Sequence, residues 1–237
     1  MSYLRLENWL AEHAFGLYLS QLEHQFIRHK LSALRFGTIM QCGFSQWQFQ
    51  NVFAAESQYL VQSEQADENV VVVADSMALP WAPQSIDTVI WPHGLDRISS
   101  HDTAMAEMAR VLVPGGHIIL TGLNVHGYWR LFYQCSIHSQ PALTLFSAST
   151  VVNRMQSYGL YLEEGQFMGY GIPACFGKNY KTIEYVGNRW WPHLAAVYGL
   201  VLVKRTVPLT LTPQKANLVL NPISNMAFKG LECDQGD

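Results

Sequence analysis

The sequence predicts an α/β protein built on a mostly parallel, twisted sheet with helices on both faces. Three observations predict it. Val70–Ala74, Ile86–Trp91 and His117–Leu123 are short apolar runs rich in β-branched residues, as expected of strands buried on both faces. Between the last two, Met105, Met108, Ala109 and Leu112 recur at i, i+3, i+4 and i+7, the period of a helix. Helices and strands therefore alternate, and right-handed crossovers into a parallel sheet are the economical way to connect them.

The composition can support that fold. Of 237 residues, 49% are hydrophobic and 14% charged, enough apolar material for a core and too little charge for general disorder. The formal net charge of -3 gives no global field that would draw in nucleic acid. Cys42, Cys135, Cys175 and Cys233 stand too far apart for a zinc site or a disulfide framework, and no metal is expected. Acidic and polar residues occupy the start of the chain where a signal peptide has its apolar run. The longest apolar windows, such as Ala195–Val203, are too short to span a bilayer. A cytoplasmic location is expected, with no membrane partner and no signal for an oligomeric state.

The elements are expected in this order. Residues 2–31 read as helix, since Phe15, Leu19, Leu22 and Phe26 recur at helical spacing while Glu12, Glu23, Gln25 and Arg28 face elsewhere; Gly16 marks a break. A first strand is expected at Phe36–Gln41 and a second near Gln58–Val61. Ser99 and Asp102 form an expected capping box for the central helix, and Pro114-Gly115-Gly116 its stop. Ala148–Tyr158 reads as helix, Tyr161–Met168 as strand and Val197–Val203 as a last strand. From Gln214 the apolar pattern thins into a loose tail. The expected division is a helical segment at 1–31, an α/β domain at 32–213 and a tail at 214–237.

One count does not close. Residues 44–69 number 26, yet a helical crossover, a strand and a second helical crossover should fit there. A crossover needs about 10–12 residues and a strand about 5. At least one helix is therefore shortened or missing.

In an open α/β sheet, ligands sit beyond the carboxyl ends of the strands, where Asp75, His93 and Asn124 should lie. The run Asp75-x-x-x-Leu79-Pro80-Trp81, then Ser85-x-Asp87-x-Val89, His93-x-Leu95 and Arg110-Val111-Leu112-x-Pro114-Gly115-Gly116 resembles the type 11 group of class I S-adenosylmethionine-dependent methyltransferases. These pieces cover about a quarter of the chain, in the family's order and at its intervals. Single pieces are common; the series is specific. The N-terminal helix, the loop from Asn124 and the closing Arg205–Leu211 segment resemble a proteobacterial subgroup with an altered first motif. The resemblance implies a Rossmann-like sheet of seven strands with an antiparallel last strand.

It also implies S-adenosylmethionine as cofactor. Asp75, with Ser76 and Met77, would meet the adenine, since a carboxylate accepts from an exocyclic amine and a backbone N–H donates to a ring nitrogen. The competing reading is an Asp75 that caps its own turn. Gln41 and Gly43 would line the methionine end, and Pro92, which ends the fourth strand on the same side, would also contact the cofactor. The family has G-x-G-x-G here, whereas this chain has Gln41-Cys42-Gly43-Phe44-Ser45, with side chains where glycine would leave space. The usual ribose-binding acid has no clear counterpart; Glu56 and Glu64 flank the second strand without ending it.

Methyl transfer is an in-line displacement at a carbon on a sulfonium cation. Positioning alone can supply about 7–11 kcal/mol of its barrier, and no metal is needed. His93 is the expected general base because imidazole titrates near neutral pH; the alternative is a hydrogen-bonded strand-end residue. Asn124 and Tyr128 are expected substrate contacts in a loop that is polar, aromatic and basic, against a reading in which Tyr128 and Trp129 anchor the next helix. Two functions are compatible with these residues: a methyltransferase with an unidentified acceptor, small molecule or protein group, or a non-catalytic relative kept as a binding or scaffolding module. No G-x-G-x-x-G comes after a strand, which argues against a dinucleotide dehydrogenase.

Overall fold

The structure, a computed structural model, describes residues 3–34, 37–49, 52, 58–63, 68–129, 143–171, 184, 187, 190 and 192–205. They belong to one compact unit ending at Thr206. The expected tail at 214–237, Glu56, Glu64 and the segment Thr206–Leu211 lie outside the described residues.

Seven strands form a single sheet: β1 Thr38–Cys42, β2 Gln58–Ser63, β3 Val72–Val73, β4 Ile86–Pro92, β5 Leu112–Leu123, β6 Leu160–Met168 and β7 Val197–Lys204. Their order is β3-β2-β1-β4-β5-β7-β6. The first five pair in parallel, while β7 lies antiparallel between β5 and β6. This is the predicted class of sheet, with the antiparallel strand where the resemblance put it.

Alternation along each strand sends side chains to two separate cores. Ile39, Ile90, Ile119, Val197 and Val201 face one side, where α1 (Tyr3–Glu12) and α2 (Ala14–Ala33) cover them. Met40, Val89, Trp91, Ile118, Leu120, Tyr198 and Leu202 face the other, against α4 (His101–Val111) and α5 (Ala148–Gln156). The short α3 (Gly94–Arg97) comes directly after β4.

Several expectations shift. The N-terminal helix breaks at His13, whose Nδ1 accepts from Phe15 N at 3.3 Å, rather than at Gly16. Gly16 serves close approach instead: a methyl group there would lie 2.2 Å from the carbonyl oxygen of Trp9. Glu23, assigned to an outward face, is fully buried. The four-valine run yields a two-residue edge strand, with Val71 62% and Val73 57% exposed, so it is not buried on both faces. A run of valines gives the same pattern at an edge as at a centre; only the strand order separates the two.

Ser99 and Asp102 make no capping box, because Ser100 is the N-cap of α4 and offers no side-chain hydrogen bond. Pro114-Gly115-Gly116 does not stop α4 either. The helix ends at Val111, and the three residues lie in an irregular stretch of β5 between the pairs Ile86–Leu112 and Thr88–His117. The arithmetic for 44–69 holds in outline. Residues 44–49 contain a turn and no helix, and only residues 64–71 separate β2 from β3.

Candidate functional site

The carboxyl ends of β1, β4 and β5 meet in one rim, set by the register that pairs Gln41 with Ile90 and Pro92 with Thr121. Asp75, Pro92, His93 and Asn124 all lie at or just beyond strand ends on this rim, as the topology requires.

The turn after β1 keeps a glycine-like backbone with few glycines. Gly43 has φ 75° and Phe44 φ 50°, so two consecutive residues are left-handed. Phe44 holds that conformation at a cost of order 1–3 kcal/mol, the kind of strain that collects at functional sites. The Gln41 amide, fully buried, donates to the carbonyls of Gly43 at 3.0 Å and Phe44 at 2.6 Å. Its oxygen accepts from the Tyr59 hydroxyl, which burial pushes up to about 12, so the phenol stays a donor.

The space over Gly43 belongs to Arg97. A methyl group at Gly43 would lie 2.2 Å from Arg97 Nη2. The guanidinium stacks over the Phe44 ring at 4.7 Å and donates through Nε to the His93 carbonyl at 3.3 Å. Nη1 donates to Glu7 Oε1 of α1 at 2.9 Å, and the same oxygen accepts from Phe44 N at 3.3 Å. Phe44 is buried and packs its ring on Trp47 at 4.7 Å. In this arrangement Arg97 and Phe44 fill the space over the β1 turn.

His93 is the left-handed N-cap of α3, with φ 48°. Its Nδ1 meets Asp96 Oδ2 at 2.8 Å and its Nε2 meets the Glu23 carboxylate at 3.0 Å. Glu23 also accepts from Thr121 Oγ1 at 2.6 Å, and Asp96 Oδ2 from Leu123 N at 2.8 Å. All four side chains are buried. Burial alone disfavours a charged imidazole, but the two carboxylates outweigh it and hold His93 up to about 9. Both ring nitrogens are engaged, so the expected base presents neither one to a substrate.

The remaining expected residues divide. Asp75 is exposed at the end of β3 and its Oδ1 accepts from Met77 N at 2.8 Å, the turn-capping geometry. Ser76 is buried beside it. Asn124 is buried and donates to the carbonyls of His193 and Ala195, at 2.9 and 3.0 Å, while accepting from His126 N. Tyr128 donates to the carbonyls of Gly169 and Gly171, at 3.0 and 2.6 Å, and Trp129 Nε1 to that of Asn124 at 2.7 Å. These contacts anchor the loop.

Beside Asn124, a cleft of about 500 Å³ opens between the start of α5 and strands β6 and β7. Val152, Phe167, His193, Tyr198 and Leu200 help to line it, and no Asp, Glu, Lys or Arg is among its described lining residues.

The residues that organise the rim most tightly, Glu7, Glu23, Phe44, Asp96 and Arg97, were not predicted. Glu23 was accessible to sequence reasoning, since it lies one helical turn beyond Leu19 and shares its face. Glu7 and Arg97 carry no local signal, because their meeting depends on how α1 docks.

Residues 42–120, from the end of β1 into β5, match a family model described as a methyltransferase domain, Methyltransf_11. A methyltransferase of Streptomyces halstedii, GfsG, is 37% identical over 68 residues, which are 28% of this chain and 24% of that protein. The match thus spans about a quarter of that relative's length. Among solved structures, a SAM-dependent methyltransferase of Archaeoglobus fulgidus superposes with a TM-score of 0.62 at 10% identity, over 86% of this chain and all of that one. The Haloferax volcanii protein solved in complex with the Trm112 methyltransferase activator gives 0.57 at 16%, over 85% and 98% of the two chains. The [4+2]-cyclase SpnF gives 0.51 at 14%, over 79% and 81%. At such identities the likeness is one of fold, and the cyclase shows that this fold also hosts other chemistry. Residues 42–120 thus resemble a methyltransferase domain, in a chain that shares the fold of these SAM-dependent methyltransferases.

Proposed function

We propose that this chain is an S-adenosylmethionine-dependent methyltransferase with an unidentified acceptor, and that its β1 turn is self-occupied in the state described. One observation carries the reading. The matched segment, 42–120, contains the β1 turn, Asp75, Pro92 and His93 and most of β5. The left-handed pair Gly43 and Phe44 supports it, since that backbone shape is what a glycine-rich cofactor turn requires.

The exposed Asp75 carboxylate offers the acceptor that an adenine amine would use, while the Met77 N–H is taken up by Asp75 Oδ1. His93 takes a positioning role: its ion pairs tie α2 and α3 to the sheet end and fix the floor of the rim. Asn124, which lines the cleft, acts on the acceptor side, while Tyr128 anchors the same loop from the opposite face of the sheet. The size of that cleft and the lack of Asp, Glu, Lys and Arg among its described lining residues suit a small neutral acceptor better than an acidic or basic group on a macromolecule.

The filled space over Gly43 favours a second reading, a non-catalytic module that has given up the cofactor. Calorimetric titration with S-adenosylmethionine and S-adenosylhomocysteine separates the two. Under the first reading both bind, and either at a hundred times its Kd raises unfolding stability by about 2.7 kcal/mol. Folded protein that yields no heat at millimolar ligand would establish the second.

A further inference from the structure

Glu7 sits at the β1 turn as a ligand would. One carboxylate oxygen accepts both from the Phe44 backbone N–H and from the Arg97 guanidinium, at 3.3 and 2.9 Å. Those donors come from two places, the left-handed turn and α3, and converge over Gly43. The Arg97 side chain is 6% exposed and is held from behind by the His93 carbonyl and from below by the Phe44 ring. A guanidinium fixed on two sides beside a turn amide is a ready receptor for a carboxylate.

Glu7 reaches it from α1, and the Glu7 side chain is 23% exposed. Its neighbours on that helix, Leu6, Trp9 and Leu10, are buried and hold α1 against the sheet. Rotation of the Glu7 side chain into solvent would vacate the receptor without moving the helix. A carboxylate with one edge in water is a weak occupant, because solvent screens it and rehydrates it on release.

We infer that Arg97 and the Phe44 amide form a subsite for the carboxylate of an amino-acid-bearing ligand, and that Glu7 is a built-in competitor for it. The inference rests on the proposed cofactor reading, since the methionine end of S-adenosylmethionine supplies such a carboxylate.

The test compares S-adenosylhomocysteine, which carries the carboxylate, with 5′-methylthioadenosine, which shares the nucleoside thioether and lacks the amino-acid end. Affinities are measured by calorimetry on the native chain and on Glu7→Gln and Arg97→Gln, each checked for cooperative unfolding. Glu7→Gln should bind S-adenosylhomocysteine about fivefold more tightly, with 5′-methylthioadenosine unchanged. Arg97→Gln should weaken S-adenosylhomocysteine about tenfold and again leave 5′-methylthioadenosine unchanged. Glu7→Ala replaces the Gln variant if that one does not fold.

If S-adenosylhomocysteine binds the native chain and Glu7→Gln leaves it unchanged, weakens it, or shifts both ligands equally, the competitor role is wrong while the cofactor reading stands. If neither ligand binds any variant, both fall together. Binding that appears only once Glu7 is replaced is the strongest support.

Discussion

Glu23 on α2 and His93 at the end of β4, seventy positions apart, meet at 3.0 Å with neither side chain exposed to solvent. The contact joins an N-terminal helix to the strand end that the fold reserves for ligands. With Asp96 on the other ring nitrogen and Thr121 on the second Glu23 oxygen, it links four elements: α2, β4, α3 and β5. A buried charge keeps its place only while its partners do, so the group acts as a fastener for the rim.

Removing one partner should therefore be costly. Glu23→Ala leaves the His93 imidazolium half-paired in a dry site, and the expected loss is about 3–5 kcal/mol of unfolding free energy. Urea titration measures it. A loss below about 1 kcal/mol would mean that the pair contributes little to holding α2 in place.

The same group should make stability depend on pH, and the raised His93 value sets the sign. The folded chain holds this proton up to about 9, whereas an unfolded histidine releases it near 6.5. The stabilisation is fully present below about pH 6.5 and is lost as the pH rises through about 9. The denaturant midpoint of the native chain should fall across that window, and His93→Gln should remove this part of the fall. An unaltered slope in the variant would assign the effect to another group.

Arg110 illustrates a motif residue whose work is local. It donates to the carbonyls of Leu79 at 3.0 Å and Trp81 at 2.9 Å, while Glu107 accepts from Leu79 N at 3.0 Å. Together they clamp the Leu79-Pro80-Trp81 turn onto α4. Arg110→Lys keeps the charge but not the fork, and should cost about 1–3 kcal/mol in thermal or chemical unfolding. Ligand affinity should stay within about twofold, because the clamp is removed from the rim. A large loss of affinity with intact stability would contradict this role.

Asp75 is the opposite case. It is exposed and makes one described turn-capping bond, so Asp75→Ala should cost only about 0.5–1.5 kcal/mol of stability. Under the proposed function it should nevertheless weaken S-adenosylhomocysteine about tenfold. Unchanged affinity would remove Asp75 from the site.

The sheet was legible because its signals are local. Ile86–Pro92 and Val197–Lys204 are apolar runs whose length and β-branching identify strands without reference to neighbours. Asp75, His93 and Asn124 fall just beyond the carboxyl ends of β3, β4 and β5, where the alternation of elements put them. Pro114-Gly115-Gly116 misled because a turn-forming triplet also serves inside an irregular strand. The valine run misled because hydrophobicity reports a strand without reporting who lies on either side of it.

The antiparallel strand was implied by the family resemblance alone; by itself the sequence determined the class of sheet and the rim on which ligands are expected. Those properties come from periodicity and from the handedness of short connections, both readable along the chain. Only the tertiary structure decided what occupies the rim: Glu7 on Arg97, Glu23 on His93, Phe44 folded into the core. Each of those is a meeting of residues distant in sequence. Its energy comes from burial and from charge pairing across elements, and neither exists until the helices dock.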